Sequence, residues 1–267
     1  MKQVTIKNIA STLNLSVSTV SRALNDHPDI HTKTKRLVKK AAVELGYNPN
    51  IIARSLKSSR SNQIGVIVPE IRHDFFANAI SGIEEVAYQK GYTIIIAQSN
   101  EQQEREVINL NSMYLHRVAG IIVSISQTTT SSSHFKRLIE RGVKMVFFDR
   151  VCDDLDTPNG YNLANELLKN GINSCAIFAV NDPVAVGAVK RLKESHIEIP
   201  GQIGIVGFSN NPITEMISPA LSTVDQHSFE MGRKAAEILI DQIEGGKYPS
   251  SELDIKLETK LILREST

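Results

Sequence analysis

Residues 5–25 read TIKNIASTLNLSVSTVSRALN, and this stretch decides how the chain begins. Ile6, Ile9, Ala10 and Leu13 recur at i, i+3, i+4 and i+7, the apolar stripe of a short helix with Thr5 as its candidate N-cap. Asn14-Leu15-Ser16 then breaks the period. Ser16 can cap a second helix whose spacing turns Val17, Val20 and Leu24 inward and Ser18, Thr19, Ser21 and Arg22 outward. Two short helices joined by a three-residue turn, the second showing small polar groups and one arginine, suit the major groove of DNA. Small side chains let the backbone approach base edges, and Arg22 can donate two hydrogen bonds to a guanine or grip a phosphate.

Outward from this stretch, a third helix is expected from Thr32, burying Leu37, Val38, Ala41 and Leu45 and ending at Gly46, which supplies a left-handed stop. Its outer face carries Lys33, Lys35, Arg36, Lys39 and Lys40, and His27 and His31 lie close enough in sequence for phosphate contact. Asn50 is a cap for a further short segment, 51–57, and the polar run 58–62 reads as a linker. Leu56 is an apolar side chain beside that linker. It either packs on the next domain or acts as a wedge in the minor groove. Residues 1–62 hold eleven Lys/Arg against three Asp/Glu, a charge of +8; the whole chain is +1, so the remaining 205 residues carry −7. A basic head on an acidic body is the layout of a nucleic-acid binder with a separate second function.

Beyond residue 62, short apolar runs alternate with amphipathic stretches. The runs are 64–69, 92–99, 118–125, 143–150, 175–181, 203–209 and 221–226, with helical patterns over 75–90, 102–115, 183–195 and 228–243. Apolar strands alternating with helices predict parallel sheets covered on both faces, with ligands at the carboxyl ends of the strands. Asp149 and Asp182 end two of these strands. For Asp182, followed by Pro183, a helix-cap role is expected, and a ligand-acceptor role can coexist with it. His227 beside a strand end is either a surface residue or a cleft residue.

Other classes are disfavoured. No apolar window approaches a membrane span, and the N-terminus has no apolar leader pattern, so no membrane partner is expected. Cys152 and Cys175 are far apart and read as free thiols of a reducing compartment. There is no phosphate loop, no nucleophile elbow and no metal-ligand spacing among the seven histidines, so no enzyme, metal or cofactor is expected.

The segments Val4-Thr5-Ile6, Ser21-Arg22-Ala23-Leu24-Asn25, Glu44-Leu45-Gly46-Tyr47-Asn48-Pro49-Asn50 and Ala53-Arg54-Ser55-Leu56 resemble the LacI/GalR family of transcription regulators, almost continuously over the first 60 residues. The resemblance implies that Val17, Ser18 and Arg22 face bases. It places Thr5, Ser16, Thr19, Ser21, Asn25, Thr34, Tyr47 and Asn50 at phosphates or in support of the head, and makes Leu56 the minor-groove wedge of a hinge helix. The body resembles that family's effector domain, itself like the periplasmic sugar-binding proteins, in 64–69, 75–91, 118–124, 147–150, 176–188, 206–210 and 221–235. Carried over, the effector residues are Phe75, Phe76, Ser124, Arg150, Asp182 and Phe208.

The expected fold is an all-α helix-turn-helix head (1–48), a hinge helix and linker (49–62) and an α/β periplasmic-binding-protein-like body (63–267). The body has a first lobe over about 63–150 and a truncated second lobe over about 159–267. Arg150 runs within ten residues into Asn159-Gly160-Tyr161, where the family has a longer path. About 60 residues, two strand–helix units, are missing. Strands 175–181 and 203–209 then lose sheet neighbours and are expected to leave edges and apolar faces open. The functional expectation is a cytoplasmic, homodimeric, sequence-specific repressor of a palindromic operator, carrying a sugar-sensing domain impaired by the deletion. The alternatives are an effector-blind or nonfunctional remnant, and a small-molecule-binding protein with no DNA role.

Overall fold

The computed structural model describes residues 4–47, 61–149, 160–171, 174–246, 248 and 254–267. The chain divides into two compact units, Met1–Ser61 and Asn62–Thr267. Asn50, Leu56, Arg150 and Cys152, singled out above, lie outside the described residues.

The first unit is three helices, α1 (Ile6–Leu13), α2 (Val17–Leu24) and α3 (Thr32–Glu44). Their core is Ile9, Ala10, Val20, Ala23, Val38, Ala41 and Ala42, with Leu13, Leu24, Leu45 and Tyr47 packed against it. Gly46 stops α3 at φ +66°, a left-handed turn that costs glycine nothing. Two inward assignments are corrected. Val17 and Leu37 are 43% and 51% exposed, because a core lined by alanines closes over only one narrow stripe of each helix.

The second unit begins with β1 (Gln63–Val68), α4 (Asp74–Gln89), β2 (Thr93–Gln98), α5 (Gln103–Leu115), β3 (Gly120–Val123), α6 (Ser133–Glu140) and β4 (Met145–Phe147). The four strands form one parallel sheet in the order β2-β1-β3-β4. Alternation sorts the side chains. Ile64, Val66 and Val68 of β1 join α4 and the later helix α10 (Ser228–Glu244) on one face. Ile67 joins Leu110 and Met113 of α5 and Phe135 and Leu138 of α6 on the other. With both faces covered, β1 admits no polar side chain between Ile64 and Val68.

The smaller lobe contains α7 (Gly160–Lys169), β5 (Cys175–Phe178), α8 (Asp182–Glu194), β6 (Ile203–Val206), α9 (Ile213–Met216), β7 (Thr223–Asp225) and β8 (Lys260–Ile262). β5 and β6 are parallel, whereas β7 and β8 pair antiparallel, a departure from the all-parallel expectation. Among the described residues, helices cover one face here. Ala164, Ala185, Ala188, Val189 and Leu192 pack on Ile203 and Ile205, with Cys175 and Ile177 beside them, while Phe178 and Val180 stay 65% and 51% exposed. The open apolar face expected from the missing segment is present.

Helices α4 and α10 approach through glycines. A Cβ on Gly232 would stand 2.0 Å from the Ala79 carbonyl oxygen, and one on Gly82 would stand 2.1 Å from that of Phe229. Backbone cannot yield as a flexible side chain does, so Gly232→Ala is expected to destabilise the body by about 1–3 kcal/mol, the usual range for overpacking. Scanning calorimetry should show a lower melting temperature; an unchanged one contradicts this packing.

Candidate nucleic-acid interface and strand-end cleft

In the basic unit, each helix of the helix-turn-helix is capped by side chains. Ser16 Oγ accepts from the Thr19 amide at 3.0 Å and lies 2.8 Å from both the Ser18 and the Thr19 hydroxyls. Asn8 Oδ1 accepts from the Thr5 amide at 2.8 Å and from the Thr5 hydroxyl at 2.6 Å. Thr5 is therefore held by its helix as much as it caps it. With Val20 and Ala23 buried, the 100° step of α2 leaves Val17, Ser18, Ser21 and Arg22 along one outward arc. Asn25 closes α2 by donating from Nδ2 to the Ser21 carbonyl at 2.8 Å.

The lysine face of α3 is already partly engaged. Asp26, at φ +54°, accepts from Lys39 Nζ at 2.7 and 2.8 Å, and its own carbonyl accepts from Lys35 Nζ at 3.0 Å. The Lys39 hydrogen bond holds the Asp26 carboxyl below the usual carboxylate range. His31 Nδ1 accepts from the Lys33 amide at 3.2 Å, so this ring caps α3. Thr34 lies half-buried in the first turn of α3, and Tyr47 packs on the core.

In the body, Ser124 is fully buried at the end of β3 and donates to Asp149 Oδ2 at 3.2 Å. Phe76 is 4% exposed and edge-on to Phe148, so its ring is core; half-buried Phe75 lies edge-on to Phe76 at 5.2 Å. Phe208 lies edge-on to Phe178 at 6.0 Å. The cap of α8 is Asn181, which accepts from the Val184 amide at 2.9 Å; Asp182 is not the cap but the first helical residue.

Asp182 is instead fully buried. It accepts from Thr223 Oγ1 at 2.6 Å and from the Asn211 amide at 2.7 Å, and Asn211 Nδ2 donates onward to Asp74 at the start of α4. Gly207 makes room for this carboxylate, since a Cβ there would meet Asp182 Oδ1 at 2.1 Å. Asp74 and Asn211 thus join the two lobes through a link that no local spacing announces. A second buried network closes the strand ends of the larger lobe. Glu106 accepts from the Ser126 amide at 2.7 Å, the Thr129 hydroxyl at 2.9 Å and His134 Nε2 at 2.8 Å. The sequence marked none of these; Glu106 reads as one more charge on an amphipathic helix. Among the described residues, no group of three or more His, Cys, Asp or Glu could hold a metal ion. No described helix is long and apolar enough to cross a membrane.

Burial raises the Asp182 carboxyl above its ordinary value, against the lowering effect of its hydrogen bonds. The folded protein then holds this proton to higher pH than the unfolded chain, so Asp182 ionisation makes stability fall as pH rises from the unfolded value of 3.8 through the raised folded value. Asp182→Asn removes that slope and leaves its own Nδ2 hydrogens facing donors. Urea titrations over a pH series should show wild type more stable at acid pH, with the gap to Asp182→Asn narrowing as pH rises. A gap independent of pH contradicts the burial effect.

Residues 5–50 match the family described as bacterial regulatory proteins, lacI family. Residues 64–165 match a periplasmic binding protein domain and 117–267 a periplasmic binding protein-like domain. The chain is 27% identical to the HTH-type transcriptional regulator RegA of Clostridium saccharobutylicum over 329 residues, covering 98% of each protein. It is 28% identical to the ribose operon repressor of Halalkalibacterium halodurans, covering 98% of this chain and 97% of that one. In fold it is similar to a lac repressor dimer solved with operator and the anti-inducer ONPF, with TM-score 0.79, 19% identity and 99% of each chain covered. A LacI-family regulator from Silicibacter pomeroyi gives TM-score 0.75 at 25% identity, covering 98% of this chain and 99% of that one. The alignment to RegA runs over 329 positions against 267 residues here, so at least 62 positions find no counterpart in this chain. From its capped helix-turn-helix to its strand-end networks, and with part of the body's usual length missing, the chain belongs to the lacI family of bacterial regulatory proteins.

Proposed function

We infer that this protein is a transcription regulator that binds a palindromic operator as a homodimer and represses from it. The observation that carries this is α2: a capped helix on a basic unit that turns Val17, Ser18, Ser21 and Arg22 outward over a buried Val20 and Ala23. One such helix spans only a few base pairs, so useful specificity needs two half-sites and a dimer. Val17, Ser18 and Arg22 are the proposed base readers. Thr5, Ser16, Thr19, Ser21, Asn25, Thr34 and Tyr47 hold the head in register or meet phosphates, with Asn50 and Leu56 added from the family resemblance. The protein is read as a binder rather than a catalyst, working in the cytoplasm where its DNA is.

The proposed effector is a small sugar-like molecule at the strand ends, facing Phe75 and Phe208, with Phe76 behind Phe75, Ser124 buried beneath against Asp149, and Arg150 added from the family resemblance. The ribose operon repressor among its relatives supports that class of molecule. A second reading, effector-blind repression, is favoured by two observations. At least 62 positions of the alignment to a relative find no counterpart in this chain, and both Asp182 oxygens already accept internal hydrogen bonds. An effector shifts operator affinity only by binding two arrangements unequally, and a ligand deprived of the Asp182 carboxylate has less to distinguish them. Calorimetry against sugars separates the readings: a ligand that changes operator affinity tenfold, about 1.4 kcal/mol of coupling, supports the sensor, and no response supports the blind repressor.

Footprinting should protect two symmetric half-sites, and a single half-site protected by a monomer contradicts the dimer. With about four cations of each head on phosphates, log K should fall against log salt with a slope of about −7, and a slope shallower than about −2 removes the basic unit as the binding surface. Arg22→Ala should cost about 1–3 kcal/mol and relax preference at one base pair. A loss uniform across sequences assigns Arg22 to phosphate instead.

A further inference from the structure

Strand β5 is the rim of the smaller lobe. Cys175 and Ile177 pack with the core under α8, and the amides of Cys175 and Ala179 donate to the carbonyls of Gln202 and Val206 at 3.3 and 2.8 Å. In a parallel ladder, alternate residues address opposite neighbours, so Ala176 and Phe178, and Val180 just beyond, aim their backbone groups away from β6. Their side chains are exposed as well. No strand pairs with that side of β5 among the described residues. The rims of the larger sheet differ: β2 and β4 also end a sheet, but each is packed on both faces, Ile94 and Val146 in one core and Ile95 and Met145 in the other. From Asn170 through Asn181 the chain has neither a charge nor a proline, the two devices that most often blunt an open edge.

We propose that β5 is a self-association surface, taking the β5 edge of a second copy of this chain in antiparallel register about a two-fold axis at Phe178. Ala176 of one copy then lies opposite Val180 of the other, and the two Phe178 rings meet. Successive exposed side chains stay on one face because the pairing preserves alternation. The charge pattern selects the occupant. A partner strand bearing a charge would bury it against Phe178 and Val180, whereas a second copy presents an edge that is uncharged over the same twelve residues. The shortfall of at least 62 positions equals about two strand–helix units, and pairing between copies restores a continuous sheet, β6-β5-β5-β6, where this lobe otherwise stops. Four or five residues per copy make a contact below the roughly 1,200 Å² of stable complexes, so the association depends on concentration.

Sedimentation of the full chain from low to high micromolar concentration tests this. The average mass is expected to double over that of the species present at low concentration. Phe178→Lys should abolish the doubling while lowering the melting temperature only slightly, because the side chain it replaces is already 65% exposed and gives up one edge contact, with Phe208. In the unmutated protein, amide exchange at Ala176, Phe178 and Val180 should slow as concentration rises. A mass that does not change with concentration, a doubling that survives Phe178→Lys, or protection of these amides that is independent of concentration each overturns the proposal. The last result assigns the edge to this chain's own residues.

Discussion

A strand in the middle of a parallel sheet has no water on either face and no free backbone group at either side, so everything around it must be supplied by protein. In this body that strand is β1. It pairs with β2 and β3 and is covered by α4 and α10 on one face and α5 and α6 on the other. The glycines follow from the same requirement. Gly65 has no side chain because Met113 Sδ would lie 2.3 Å from its Cβ, and Gly82 and Gly232 let α4 and α10 close over the sheet. Beyond the carboxyl end of β3, the neighbour of β1, Ser124 donates to Asp149 and the Ser126 amide to Glu106, so these strand-end networks follow from how the sheet is covered.

The smaller lobe meets that requirement by half. β6 has β5 on one side and, on the other, the Ser222 carbonyl accepting from the Gly207 amide and the Ser266 carbonyl accepting from that of Ile205. Among the described residues, β5 has one neighbouring strand and one face covered by helices. Beside its one-sided apolar core, polar links steady this lobe. Arg264 donates to the Leu221 carbonyl, Asn210 and Glu215, and Asp182 gathers Thr223 and Asn211. A buried carboxylate with both oxygens accepting is a sound strut, because its hydrogen bonds offset part of its desolvation. Full burial with both oxygens engaged makes it a poor ligand acceptor, and strut and sensor therefore compete for one side chain.

The head works by a different economy. Its core is small and alanine-rich, so local caps carry much of the definition: Ser16 for α2, His31 for α3, Asn8 returning to Thr5 for α1. Asp26 gathers Lys35 and Lys39 beside α3, which leaves fewer cations for phosphate than the count of lysines suggests.

The sequence by itself determined whatever depends on neighbours three or four residues away. The helices of the head, the Ser16 cap, the Gly46 stop and the strands of the body are all repeats or local hydrogen bonds, readable along the chain. It also carried the consequence of a missing segment, because a strand written for burial on both faces shows its apolar pattern whether or not its neighbours exist. Tertiary structure decided the rest. Leu37 has the period of a core residue and lies outside, because the alanine-rich core of the described head closes over only a narrow stripe of α3. Asp182 looks like a cap, yet it is a strut because Thr223 is brought to it across 41 residues. His134 reaches Glu106 across 28 residues and Asn211 reaches Asp74 across 137. Contacts at those separations are fixed by how sheets and helices stack, and a linear pattern holds no record of which distant polar group arrives to satisfy a buried one.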